Sequence, residues 1–397
     1  MFKGLKRIVY PVQDLQKAKT WYSDILGYPP IFDGHKAAIF PVGSCSLSLT
    51  ESALTSTAES NGMAVYWEVD DIEAVMEALL QKGAVLHTTI AAVLNIRTAK
   101  VIDPFGNIIG ITDQGTADNR ETVEAKPSET ALSVAFCRAL AAKEERQKLK
   151  GPDYIAEIFL STEAKELLSK SDTRTWAIQN LVTSPLYGYF LARTAYIDDI
   201  FLDACREGIP QIVFLGAGYD TRSIRFSDYI KNTKIYELDI STTQMRKVEC
   251  LGKAGFTVPQ TLSYVQINFE KDNILDTLLK VGYNPKVRSL FIWEGVMYYL
   301  TRSSIESTLK FISEQSGPKS RLCFDCMSEE LQSVNAGEPF RFWMKPDELM
   351  ALLLNFGLNR AEFMDSNEMK KRYLTMADGV QTEKCLTSFF FMLAEKN

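Results

Sequence analysis

The sequence predicts two folded domains. Residues 1–114 form an α+β domain of two βαβββ modules, 115–128 a linker, and 129–397 an α/β domain whose doubly wound, mostly parallel sheet follows a helical cap over 129–208. Three observations predict this. A weak internal repeat relates IVYPVQDLQKAKTWYSDILGY to AVYWEVDDIEAVMEALLQKGA and sets Asp14 and Asp71 57 residues apart. The segment GTADNRETVEAKPS is polar, lacks apolar periodicity and holds Gly115 and Pro127. From Gln211 onward, apolar runs of four to six residues alternate with helical stretches, as strands buried on both faces require.

Composition narrows the function classes. The chain has 397 residues, 46% hydrophobic and 24% charged, with net charge −6, which is enough apolar material for sizeable cores. Residues 1–115 carry 9 Lys/Arg against 12 Asp/Glu and the remainder 35 against 38, so each part is net −3. Neither has the basic excess that binding a phosphate backbone needs, so no nucleic-acid partner is expected. The N-terminal MFKGLKRIVYPVQDL has no apolar signal region, and no run of about 18 apolar residues occurs. A cytoplasmic protein with no membrane partner is expected. Seven cysteines spread from Cys45 to Cys385 do not form the pattern of a disulfide framework and read as reduced thiols. With only His35 and His87, a His-rich metal site is not expected.

In each repeat copy an apolar strand ends at an Asp able to cap a helix, and the helix's apolar stripe runs to Gly27 or Gly83. The strand-like HKAAIFPVGSCSLSLTE follows the first helix and TAKVIDPFGNIIGITD the second, with a hairpin turn from Asp103 to Asn107. With VQDLQKAKTWYSDILGY and VIDPFGNIIGITD in place, residues 1–114 resemble the vicinal oxygen chelate superfamily of glyoxalases, dioxygenases and bleomycin-resistance proteins. The resemblance places the superfamily's metal ligands near Arg7, Ser48, Ala64 and Gly110, which are not a competent set for a divalent metal. No metal is expected. The module is left to pair protomers through its strands, making a homo-oligomer, or to present a concave sheet to a small molecule.

The second domain opens with helical patterns in TALSVAFCRALAAKEERQKL, TEAKELL and 174–206. Strands follow as QIVFL, KIYELDI, YVQI, SLFIWE, RLCFDCM and SFFFMLAEK. After the first strand stands Gly216-Ala217-Gly218-Tyr219-Asp220-Thr221-Arg222, a G-x-G turn at a carboxyl end, where open α/β sheets bind ligands. Thr221 occupies the place of the third glycine of dinucleotide sites, which argues against a pyrophosphate cofactor. Asp239, 23 residues beyond Gly216, ends the second strand, where it can accept both hydroxyls of a ribose or cap the helix beginning at Ser241. Glycine turn and ribose acid without a phosphate cradle describe a site for S-adenosylmethionine, and so a class I methyltransferase fold.

Four ordered motifs sharpen this: ARTAYIDD, QIVFLGAGYDTRSIRF, YELDIS and WEGVMYYL resemble the leucine carboxyl methyltransferase family over about 130–397. The resemblance implies that Arg193 pairs with the cofactor's methionine carboxylate, that the backbone at Gly216 and Gly218 approaches its amino acid part, and that Glu294 lies beside its ammonium. A salt bridge from Glu294 to Arg193 or Arg222 is the structural alternative. The family's Asp-Leu for the adenine is here Asn268-Phe269, whose Asn can still accept from the amine.

The C-x-x-C of Cys323 and Cys326 has no second pair and reads as two strand cysteines. GEPFRFWMKPDEL reads as a loop entering a helix capped near Asp347, with aromatics for an acceptor pocket or the core. With no His or Cys in the cofactor motifs as a base, the expectation is an S-adenosylmethionine-dependent O-methyltransferase acting on a carboxylate, or a hydroxyl, of a small molecule. Tyr298 and Tyr299 are candidates to orient it; the catalytic group is not identified. The rival expectation is a metal-free glyoxalase-like ligand-binding or dimerisation protein, with methylation secondary.

Overall fold

The computed structural model describes residues 7–43, 45–52, 65–93, 96–113, 123–144, 153–331, 338–375 and 384–397. The chain divides into two compact units, Met1–Asp118 and Asn119–Asn397. Of the segment read as a linker, 115–122 lie outside the described residues.

The first unit contains the two modules. One runs β1 (Arg7–Val12), α1 (Leu15–Leu26), β2 (Phe32–Asp33), β3 (Ala37–Val42) and β4 (Cys45–Glu51); the other runs β5 (Val65–Glu68), α2 (Ile72–Gln81), β6 (Val85–Val93), β7 (Ile96–Ile102) and β8 (Ile108–Asp113). The sheets have matching orders, β1-β4-β3-β2 and β5-β8-β7-β6, and each first strand pairs in parallel with its module's last. The repeated aspartates cap as expected: Asp14 accepts from the Lys17 N–H at 3.0 Å and Asp71 from that of Ala74 at 2.9 Å. Alternation along the strands buries Tyr10, Val12, Leu47 and Leu49 of one module in a core shared with Ile72, Val101, Ile109 and Ile111 of the other. Across it, Tyr22 donates to Asp103 at 2.7 Å, and Asp103 in turn organises the β7–β8 turn by accepting from Phe105 and Asn107.

The second unit begins with helices α3 (Glu129–Ala142), α4 (Thr162–Ser169), α5 (Ser171–Ala177) and α6 (Ser184–Arg206). The helical pattern read through 174–206 is not one helix. A π turn, Ile178–Val182, and Thr183 at φ 71 break it, and Pro185 lies in the first turn of α6, where its missing N–H costs nothing. Then follow β9 (Gln211–Leu215), α7 (Arg222–Arg225), α8 (Ser227–Ile230), β10 (Lys234–Asp239), α9 (Ser241–Lys253), β11 (Leu262–Gln266), α10 (Ile274–Leu279), β12 (Ser289–Trp293), α11 (Arg302–Glu314) and β13 (Arg321–Met327). The chain closes with α12 (Pro346–Asn355), β14 (Leu358–Met364), α13 (Ser366–Tyr373) and β15 (Phe389–Lys396).

The sheet order is β11-β10-β9-β12-β13-β15-β14, parallel through β13 and antiparallel at β15 and β14. Order reverses between β9 and β12, so the crevice beyond their carboxyl ends is the ligand side. Central strands are buried throughout, whereas β14, with Asn359, Arg360 and Ala361 exposed, sits at the edge; this strand is absent from the sequence prediction. Asp347 does not cap α12: Lys345 holds the cap position, Pro346 opens the helix and Asp347 lies in its first turn, facing the positive end of the helix dipole.

Candidate functional site

The turn after β9 is built by its glycines. Gly216 has φ 81, and a Cβ there would meet Val296 Cγ2 at 2.3 Å; Gly218 has φ 49. Both values favour a residue without a side chain. The N–H groups of Gly216 and Ala217 donate to the Leu238 carbonyl at 2.9 Å, tying this turn to β10.

Asp239 ends β10 as expected but does not cap α9, whose cap residue is Ile240 with no side-chain bond. Its carboxylate instead accepts from the N–H of Gly218 at 2.5 Å and of Ile240 at 2.7 Å. Burial pushes its pKa up to about 6 against the lowering effect of these donors. A carboxylate offers about four acceptor positions, so two remain for outside donors. Nearby Glu237 is a different case: it is fully buried, pairs with Lys247 at 2.5 Å and accepts from Ser223 at 2.6 Å, so it braces β10 against α9 and α7.

Glu294 follows the last residue of β12 and realises both ion pairs that the sequence left open. One oxygen lies 3.0 Å from Arg193 Nε and the other 2.8 Å from Arg222 Nη1. Arg222 is fully buried and also pairs with Asp198 at 2.7 Å and with Asp220. Burial opposes the Asp220 charge, but Arg222 and Arg138 outweigh it and hold its pKa below the ordinary carboxylate range. Arg225 extends the cluster to Asp198, and Arg138 reaches Asp153 at 3.3 Å. Four guanidiniums thus meet five carboxylates, Asp325 among them, between the cap and the sheet.

Arg193 is 2% exposed on α6, its guanidinium stacked over Phe190 and Tyr189 at 4.9 and 5.4 Å. It meets a residue absent from the sequence prediction. Asp325, on β13 and fully buried, accepts from Arg193 Nη1 at 2.9 Å, from the Tyr189 hydroxyl at 2.5 Å and from the Gly295 N–H at 2.6 Å. The Tyr298 hydroxyl accepts from Arg193 Nη1 at 3.3 Å and lies 3.5 Å from Asp325. Burial, then the Asp325 charge, pushes the Tyr189 and Tyr298 phenols up. An acid inside the apolar strand RLCFDCM was the available signal, overshadowed by its flanking cysteines. Both thiols are buried and pushed up by burial.

Asn268 and Phe269 lie just past the carboxyl end of β11, separate from the Arg193 cluster in bonding. The Asn268 side-chain carbonyl accepts from the Glu270 N–H at 3.0 Å and its amide donates to Glu124 at 3.0 Å. Phe269 packs, half-buried, on the core. On the other flank Phe340 packs on Tyr298 and Tyr299 at 5.4 and 5.3 Å while Phe342 enters the core.

In the first unit, Arg7 is exposed and donates to Ser46, Ser48 is buried, and the Gly110 position lies beneath the Tyr66 ring, 2.6 Å from where a Cβ would be. Ala64 lies outside the described residues. Among the described residues no three His, Cys, Asp or Glu side chains group as metal ligands, and both histidines are exposed. No described helix is long and apolar enough to cross a membrane.

This sheet, with its glycine turn, strand-end acids and helical cap, defines a class I methyltransferase domain. Residues 131–313 match the leucine carboxyl methyltransferase family and residues 4–111 the glyoxalase/bleomycin resistance protein/dioxygenase superfamily, so the chain carries a domain of each. A Mycobacterium marinum protein named as a candidate S-adenosyl-L-methionine-dependent methyltransferase is 28% identical over 231 residues, 56% of this chain and 69% of its own. A Bacillus subtilis protein, YktD, with the same kind of name is 27% identical over 200 residues, 47% of this chain and 66% of its own. The chain thus spans about two thirds of the length of these relatives. Among solved structures, the glycopeptide N-methyltransferase MtfA is 13% identical, with TM-score 0.35 over 51% of this chain and 95% of its own. A glyoxalase-related enzyme from Fulvimarina pelagi is 21% identical, with TM-score 0.26 over 28% of this chain and 88% of its own.

Proposed function

We propose that the chain is an S-adenosylmethionine-dependent O-methyltransferase that esterifies a carboxylate of a small molecule. One observation carries the reading: Gly216, Gly218, Asp239, Arg193 and Glu294 gather at the carboxyl ends of β9, β10 and β12, joined by a hydrogen bond from Gly218 to Asp239 and an ion pair between Arg193 and Glu294. The residues fit the cofactor. Asp239 keeps two acceptor positions for ribose hydroxyls, and the glycine turn holds that carboxylate in place through the Gly218 N–H. Arg193 Nη2 makes no hydrogen bond to a described residue and is the donor for the cofactor's carboxylate. Glu294 takes the ammonium, and Asn268 and Phe269 the adenine. The cluster's one surplus carboxylate suits a cationic cofactor.

When bound, S-adenosylmethionine supplies an electrophilic methyl group on a sulfonium. The chain's part is to hold both reactants in line and exclude water. What supports a carboxylate acceptor is that no His, and no Cys or Tyr of lowered pKa, stands among the described residues of the second unit as a ready base. Both histidines fall in residues 1–114, and burial pushes the Cys137, Cys323 and Cys326 thiols and the Tyr298 and Tyr299 phenols up. An ionised carboxylate needs none. The test is incubation of metabolite extract with the protein and methyl-labelled cofactor, followed by mild alkali. Label in an alkali-labile ester is expected; alkali-stable label would overturn the carboxylate acceptor, and no transferred label would overturn the activity.

A further inference from the structure

We infer that Asp325 is the positioning residue of the amino-acid end of the cofactor site, fixing Arg193 and the Glu294–Gly295 turn together without touching the ligand. The inference rests on the S-adenosylmethionine reading. Asp325 is fully buried, so its carboxylate is satisfied only by protein donors. One oxygen accepts from the Gly295 N–H at 2.6 Å; the other accepts from Arg193 Nη1 at 2.9 Å and the Tyr189 hydroxyl at 2.5 Å. Arg193 stands on the cap and Gly295 follows β12, so one side chain of β13 sets the distance between the group that would read the cofactor's carboxylate and the turn that carries the group for its ammonium.

Gly295 tightens the arrangement. It has φ 72, and a Cβ there would lie 3.3 Å from Arg193 Nη1 and 3.4 Å from Nη2. The guanidinium therefore lies against the bare backbone of Gly295 and over the Phe190 ring, leaving few alternative rotamers. Without the Asp325 anchor, Arg193 would keep Glu294, the carboxylate meant for the ammonium, as its only charged partner beside the weaker Tyr298 hydroxyl contact. Competition between the two would then close the amino-acid end.

Binding of two ligands separates positioning from general support: S-adenosylhomocysteine, which has the amino acid end, and methylthioadenosine, which lacks it. In Asp325→Asn the isosteric amide cannot accept from Arg193, Tyr189 and Gly295 together. Its affinity for S-adenosylhomocysteine is expected to fall at least tenfold while that for methylthioadenosine changes less than threefold. Tyr189→Phe, a gentler loss of one donor, should show the same selectivity at smaller size if Asp325→Asn does not fold. Equal losses for both ligands, or unchanged S-adenosylhomocysteine affinity, would overturn the inference. Wild-type protein that binds neither ligand would instead overturn the cofactor reading beneath it.

Discussion

Replacing Asp239 with Asn separates what this residue does for the fold from what it does for the ligand. Its pKa rises from the ordinary 3.8 of an aspartate to about 6 in the folded protein, mainly through burial. Two units correspond to about 3 kcal/mol. Because the folded pKa lies above the unfolded one, the folded state binds the proton more tightly. That contribution is full below about pH 4 and lost as pH rises through about 6, so the ionised Asp239 is a cost of about 3 kcal/mol at neutral pH. Asn removes the charge and the cost. It also leaves the N–H of Gly218 or of Ile240 facing an amide N–H₂ group, which costs about 1–3 kcal/mol. The two nearly cancel, so urea unfolding at neutral pH should give a stability within about 2 kcal/mol of wild type. Cofactor binding has no such offset. Ribose hydroxyls would lose a charged acceptor, worth about 2–3 kcal/mol, so calorimetry should show S-adenosylhomocysteine affinity down roughly thirtyfold or more. Wild-type affinity in Asp239→Asn would refute the ribose assignment, and a stability loss well above 3 kcal/mol would refute the balance drawn from burial.

By the same linkage, wild-type affinity for S-adenosylhomocysteine should weaken as pH falls through about 6, since a protonated Asp239 accepts less well; a pH-independent affinity between pH 5 and 8 would contradict it. Gly216→Ala should cost about 2–4 kcal/mol from its positive φ and the Val296 clash, and Val296→Ala added to it should recover part of that in thermal melts. Arg222→Ala takes the ion-pair partner of Asp220 and one of two partners each from Asp198 and Glu294, leaving buried negative charge uncompensated, and should destabilise the second unit by about 3–5 kcal/mol by urea titration. Deleting residues 1–118 should leave cofactor affinity within about threefold by calorimetry, while acceptor turnover or the oligomeric state by light scattering changes; loss of cofactor binding in a folded truncation would move the site's boundary.

What could be read in the sequence were the features that speak locally. Asp14 and Asp71 announce themselves by repeat and cap position, and the Gly216 turn by a strand on one side and a helix on the other. Strand β14 escaped because an edge strand with one covered face carries polar residues and loses the apolar run by which β9 or β12 is recognised. Asp325 escaped for a different reason. Its partners are Gly295, Arg193 and Tyr189, 30, 132 and 136 residues away, so nothing near it in sequence marks it as a hub. Glu294 was half legible: its place after β12 follows from the strand pattern, but that both Arg193 and Arg222 reach it depends on how α6 packs over the sheet.

The central claim is tested most directly by titrating the purified chain with S-adenosylmethionine in a calorimeter at neutral pH, alongside Arg193→Ala. One cofactor per chain, with affinity lowered at least tenfold in the variant, is the predicted result. No binding to the wild-type chain, or equal binding to both proteins, would contradict it.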